Sequence, residues 1–108
     1  MTTYPQHIVV EDHGRLLAEA VVSTDATDGS GDLIVADLHV EAGPVPCGIR
    51  TRLVDAVLDL PHSRPGTRLA MTLPAGDGEI VARMRERCGD VDLRAAGASL
   101  LLRATRHH

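Results

Sequence analysis

The sequence predicts an α/β (α+β) fold in which a mixed sheet, in the order β-β-β-α-β-α-β, carries two helices on one face. Two changes of period lead there. Apolar and polar residues alternate through 6–11, 15–24, 33–40 and 67–73, the period-two signature of strands. Through 49–60 and 80–88 apolar residues recur at helical spacing instead. The third observation is size: 108 residues, 44% hydrophobic and 24% charged, suit one water-soluble domain with one core, so 1–108 reads as a single domain.

Each element follows from local signals. Residues Gln6 to Glu11 and Arg15 to Thr24 are strand-like runs separated by Asp12-His13-Gly14, a hairpin turn signal. The polar, glycine-rich Asp25 to Asp32 reads as a loop, and Leu33 to Val40 as a third strand returning antiparallel to the second. From Pro46, the residues Ile49, Leu53, Ala56, Val57 and Leu60 mark one face of a helix. Pro44 and Pro46 suit its entrance, and Pro61 with Pro65 ends it. Thr67 to Leu73 is a fourth strand. A second helix follows Pro74, N-capped by Asp77, with Ile80, Val81 and Met84 inward, and it runs to Cys88, where Gly89 is the natural stop. Val91 to Thr105 reads as one long strand or two short ones around Gly97.

Strands flanking each helix should run parallel through right-handed crossovers. Sorting strand residues by parity then gives one apolar face: Leu16, Ala18, Ala20 and Val22; Ile34, Ala36, Leu38 and Val40; Leu69, Met71 and Leu73. Both helices belong on it. The opposite face mixes Val9, Leu17, Val21, Leu33 and Val35 with Glu11, Arg15, Glu19, Asp37, His39 and Arg68. It is too apolar to be wholly wet, and a partner subunit packed on this open sheet face, most simply in a homodimer, would fill the gap.

Composition excludes several functions. The net charge is −4, and all 11 basic side chains are arginine with no basic tract among them, which argues against nucleic acid as a partner. With no Phe, no Trp and one tyrosine, Tyr4, base stacking and aromatic cages have no material. No run is apolar and long enough for a membrane span. Two cysteines, Cys47 and Cys88, make no disulfide framework, and MTTYPQHIVV lacks the pattern of a signal peptide, so the expected setting is the reducing cytoplasm. His7, His13, His39 and His62 are scattered, with no H-x-x-x-H or C-x-x-C spacing, so no metal site is expected.

The stretch Leu38-His39-Val40-Glu41-Ala42-Gly43-Pro44-Val45-Pro46-Cys47-Gly48-Ile49-Arg50-Thr51-Arg52-Leu53 resembles the segment of GCN5-related N-acetyltransferases in which a strand ends in valine and a short loop with [Q/R]-x-x-G-x-[G/A] opens a helix. Asp77 to Asp90 resembles that family's later helix, which ends in Y-x-x-x-G-F, with Gly89 as the glycine. The likeness is strongest over 33–105 and implies a shortened core lacking the family's first strand and first two helices. It also implies acetyl-CoA or another acyl-CoA as cofactor. The loop and helix entrance would hold its pyrophosphate, at Val40, Val45, Cys47, Gly48, Ile49, Arg50 and Arg52, because free amides and the helix dipole favour an anion. Several landmarks differ: Val45 stands for Gln or Arg, Arg50 for Gly or Ala, Arg85 for the tyrosine that protonates the leaving thiolate, and Asp90 for the phenylalanine.

Independently of that likeness, any register that keeps the apolar faces aligned brings Glu19 opposite or near His39 or Asp37. A carboxylate beside an imidazole can perform acid–base work near neutral pH, so Glu19, Asp37 and His39 are the candidate catalytic residues; the structural reading is a charged cross-strand pair. Cys47 falls at a helix start, where a thiol is activated, or it is a small buried side chain. A Cys47–Cys88 bridge is excluded because the two lie at opposite ends of parallel helices. Two functions are carried forward: an acyl-CoA binder or N-acetyltransferase with a non-standard site, and a non-catalytic homodimer or interaction module.

Overall fold

The computed structural model describes residues 6–26, 32–41, 45–60 and 66–106. Three strands come first: β1 (Gln6–Asp12), β2 (Arg15–Ala26) and β3 (Asp32–Val40). Helix α1 (Ile49–Leu58), β4 (Arg68–Pro74), helix α2 (Gly78–Arg87), β5 (Cys88–Ala96) and β6 (Ser99–Arg106) follow. The strands form one six-stranded sheet in the order β1-β2-β3-β4-β6-β5. Only β3 and β4 pair parallel; every other neighbouring pair is antiparallel.

Both helices lie on the apolar face of the sheet. Leu53, Val54, Val57 and Leu58 of α1 and Ile80 and Met84 of α2 are buried against Val10, Ala18, Ala20, Val22, Ile34, Ala36, Leu38, Leu69, Met71, Leu73, Leu102 and Ala104. Aliphatic side chains with Met71, Met84 and Cys88 build this core among the described residues, and an ion-pair ladder between the helices closes it. Arg50 pairs with Asp77 at 2.9 Å, Arg83 with Asp55 at 2.8 Å, and Arg87 with Asp55 at 3.1 Å and Asp59 at 3.0 Å. Partners of like position along both helices can meet in this way only if the helices run parallel, as consecutive crossovers on one face require.

Several expectations need correction. The hairpin at Asp12 to Gly14 has His13 and Gly14 at positive φ, 52° and 76°, but pairing slips between Val10 and Glu11. The extra residue is on β2, so Leu17, expected on the open face, is buried beside Ala18, and Leu16 is only half-buried. Strands β2 and β3 reach into the predicted 25–32 loop and pair Asp25 with Leu33 and Ala26 with Asp32. Residues 27–31, Pro44, Pro61 with Pro65, Tyr4, His62 and His107-His108 lie outside the described residues.

Helix α1 ends before Leu60, which packs half-buried on the core. Helix α2 stops at Arg87, not at a glycine: Cys88 is already extended, and Asp90 takes the left-handed conformation, φ 53°, within a bulge of β5. The last segment is two strands turning at Gly97, φ 62°. Since β6 returns between β4 and β5, the second crossover links strands that are not neighbours.

Candidate functional site

The parallel pair β3–β4 is the place where the sheet opens. Backbone pairing runs from Leu33–Arg68 to Asp37–Thr72 and stops. Beyond that point Leu38, His39 and Val40 pair only with β2, as partners of Ala20, Glu19 and Ala18. Leu73 and Pro74 pair only with β6, as partners of Leu100 and Ser99. Two strands that leave each other at their carboxyl ends, with a helix starting after each, leave unpaired backbone at the end of the sheet where α/β folds bind ligands.

A cleft of about 470 Å³ lies at this parting, lined by Glu19, Val21, Asp37, Leu38, His39, Thr72, Leu73, Pro74 and Ser99. It gathers all three residues singled out for acid–base work. Glu19 sits directly across from His39, and Asp37 lies two residues earlier on the same face of β3. The Glu19 carboxylate does not bond His39, however. Its Oε2 accepts a 2.8 Å hydrogen bond from Nε2 of His7 on β1, a diagonal cross-strand contact, since His7 is registered with Val21 and Val9 with Glu19. The parity His7 shares with Val9, already assigned to the open face, was the signal that could have placed it there.

The entrance to α1, which follows β3 in the chain, is a second candidate element, and none of its residues lines the cleft. Gly48 is the N-cap, with φ 89°, a conformation available to glycine at little cost. A Cβ added there would meet no heavy atom within 4 Å beyond its chain neighbours among the described residues. Arg52 N–H makes the first helical bond to the Gly48 carbonyl at 2.9 Å, and the Ile49 N–H reaches Pro46 O at 3.4 Å. The amides of Gly48 and Arg50 have no backbone partner among the described residues, so they are free to hold an anion. The third amide of the turn is taken: Glu79 Oε2, from α2, accepts from Thr51 N and from Thr51 Oγ1, each at 3.2 Å.

The remaining residues of that segment divide. Val40 and Val45 pack half-buried on the core, and the Ile49 side chain is inside it, so Ile49 can offer a ligand only its backbone. The Arg50 guanidinium is bonded to Asp77 Oδ2, whose Oδ1 caps α2 by accepting from Ile80 N at 3.3 Å. Arg52 is exposed and has no ion pair among the described residues. Cys47 is an exposed free thiol; Cys88 is a buried one, with its pKa pushed up by burial against the opposing pull of Arg106 and Arg87. Arg85 is exposed on α2.

Three strands, a helix, a strand, a second helix on the same face and a final hairpin, with β3 and β4 parted, make up the fold of the GCN5-related N-acetyltransferases. Arabidopsis thaliana Naa50 in complex with the bisubstrate analogue CoA-Ac-MVNAL superposes with a TM-score of 0.63 at 8% identity, over 92% of this chain and 71% of that one. The ribosomal-protein-alanine N-acetyltransferase from Brucella melitensis gives 0.55 at 14% identity over 94% and 68%. An acetyltransferase of the GNAT family from Streptococcus pneumoniae gives 0.54 at 13% identity over 96% and 67%. No family model and no curated protein matches the sequence itself. The fold is shared where the residues are not, as expected of a scaffold specified by burial pattern. Among the described residues, no helix is long and apolar enough to cross a membrane.

Proposed function

We propose that this chain binds an acyl-CoA at the parting of β3 and β4 and transfers its acyl group to an amine in the adjoining cleft. One observation carries the reading: pairing between β3 and β4 ends at Asp37 and Thr72, at the edge of a cleft that gathers Glu19, Asp37 and His39. Support also comes from the likeness to Naa50, whose structure holds a CoA bisubstrate analogue. The residues present suit such a ligand. The free amides of Gly48 and Arg50 and the unpaired Arg52 offer a diphosphate three donors, and the unpaired backbone edges of 38–40 and 73–74 face the gap where an amide-bearing arm would pair.

Bound there, an acyl-CoA supplies an activated thioester. An amine entering the cleft must lose a proton as it attacks the thioester carbon. Glu19 and His39, registered across from each other, are placed to accept that proton, and Asp37 to hold the amine while it is still cationic. The His7 hydrogen bond orients the Glu19 carboxylate. The new C–N bond forms as the C–S bond breaks. Arg85, which stands where the resembling family has a tyrosine, is no acid near neutral pH, so the departing thiolate takes its proton from water.

Thermal melting with acetyl-CoA tests the reading. At about a hundred times Kd the ligand should add roughly 2.7 kcal/mol, raising Tm by several degrees. Glu19→Gln should keep that shift while lowering turnover of an amine acceptor by about 10²-fold or more. An unchanged Tm at millimolar acetyl-CoA would overturn the proposal.

A further inference from the structure

A second cavity, of about 440 Å³, opens on the sheet face away from the helices, at the amino end of β4. It is separate from the cleft. Arg68, which lines the cavity, precedes Thr72, which lines the cleft, by four residues of strand, about 13 Å, and no residue lines both. The register explains the hollow. Arg68 on β4 is registered with Thr105 on β6, and Thr105 with Gly89 on β5, so the outer position of that row carries no side chain. Ala70, the next residue of β4 on this face, is small as well.

Three charged side chains line the hollow: Arg68, Arg103 and Asp90. Arg68 is registered with Thr105 and Arg103 with Ala70, so the two arginines are diagonal neighbours on one face, within reach of one small anion. Asp90 comes from the bulge of β5 between Gly89 and Asp92, where its φ of 53° takes it out of the strand's alternation; bulges re-aim side chains in this way beside binding sites. None of the three makes an ion pair or a side-chain hydrogen bond among the described residues, and neither does Asp92, the register partner of Arg103. Opposite charges that share a cavity and stay unpaired leave a gap with a cationic side and an anionic side. Leu33 and Ala70 add an apolar wall, and Thr105 adds a hydroxyl.

We infer that this cavity binds a small α-amino acid as its zwitterion. The carboxylate lies between the guanidinium groups of Arg68 and Arg103, the ammonium reaches Asp90 across the Thr105 hydroxyl, and a short apolar side chain rests on Leu33 and Ala70. Each charge of the cavity then meets its opposite. A simple carboxylate leaves Asp90 unmatched, and a phosphate dianion is repelled by it, so neither fits as well. The cavity is within the size range of small-molecule sites. The site stands whether or not acyl-CoA binds, because it shares no residue with the cleft or with the α1 entrance.

Amide chemical shifts of the full chain, followed while L-alanine is added, test the site. They should saturate at roughly millimolar concentration and centre on residues 33, 68–70, 89–90 and 103–105. Propionate, which lacks the ammonium, L-alaninamide, which lacks the carboxylate, and inorganic phosphate should each bind about tenfold more weakly or worse. Asp90→Asn removes the charge while keeping a residue type that tolerates the left-handed conformation, and it should bind L-alanine and propionate alike. Arg103→Gln should weaken L-alanine about tenfold. The comparison of ligands on the wild type holds even if a variant fails to fold. No saturable shift with L-alanine up to about 100 mM, propionate or phosphate binding as tightly as L-alanine, or a folded Asp90→Asn that still prefers L-alanine would each overturn the inference.

Discussion

Glu79 decides how much of the α1 entrance is left for an anion. Its carboxylate occupies the Thr51 amide and hydroxyl, placing a negative charge where the helix dipole would otherwise favour a ligand phosphate. Glu79→Gln keeps an acceptor and removes the charge, so the affinity for acetyl-CoA should rise a few-fold at low salt, measured by calorimetric titration, in line with the roughly 0.3–1 kcal/mol of a charge at a helix end. A fall in affinity would mean that the charge holds the entrance in shape instead of competing with the ligand. Asp55 makes a different prediction. The Arg83 hydrogen bond, aided by Arg87 and opposed by burial, holds its carboxyl below the usual carboxylate range. A group depressed in the folded state stabilises fully above its unfolded pKa and loses that contribution as pH falls through the folded value. Asp55→Asn should therefore melt below the wild type at pH 7, and the two should converge as pH falls through the depressed folded-state value, when Tm is followed across acid pH. Parity placed Glu19, Asp37 and His39 on one face and Glu19 near His39 because a one-residue slip would have buried charge. It could not reveal that Glu19 would choose His7, since a diagonal contact depends on side-chain reach and not on register. Nor could it show Leu17 inside, because a bulge inverts the alternation on which parity rests.

At the scale of elements, Gly48 controls the geometry of the α1 start. With φ 89° and open space around it, Gly48→Ala meets no clash and pays only the left-handed backbone penalty, about 1–2 kcal/mol. Its Tm should drop accordingly, and acetyl-CoA binding should weaken if the entrance relaxes to remove the strain. Both helices and the first four strands were legible, because their periodicities are long and their punctuation, Asp12-His13-Gly14, Asp77 and Pro46, carries specific backbone preferences. The end of α2 was not. Gly89 looked like a stop, but pairing of Cys88 and Gly89 with Arg106 and Thr105 on β6 pulls the chain into the sheet before a left-handed cap can form, and the left-handed turn falls to Asp90. The parting of β3 and β4 was likewise hidden. Residues 38–40 and 73–74 alternate like any strand, and only the helices that follow them, each drawn over its own part of the core, decide that the two ends separate.

For the molecule as a whole, one continuous core joins the sheet and both helices, so heat should unfold the chain in a single transition with equal calorimetric and van't Hoff enthalpies. Leu53→Ala, at a fully buried position of α1, should cost about 2–5 kcal/mol and shift that transition without splitting it. The open face was anticipated from its mixed composition, but its division into an acidic and a basic half became visible only once the strand order β1-β2-β3-β4-β6-β5 was known, because β6 brings Arg103 next to β4 out of sequence order. Fold and face thus follow from periodicity, while the ligand site depends on where two strands stop pairing. Amide chemical shifts recorded during titration with acetyl-CoA address that point most directly. The account predicts perturbations concentrated at residues 38–40, 47–52 and 73–74; saturating acetyl-CoA that leaves those amides unmoved, or moves only residues on β1 and β5, would contradict it.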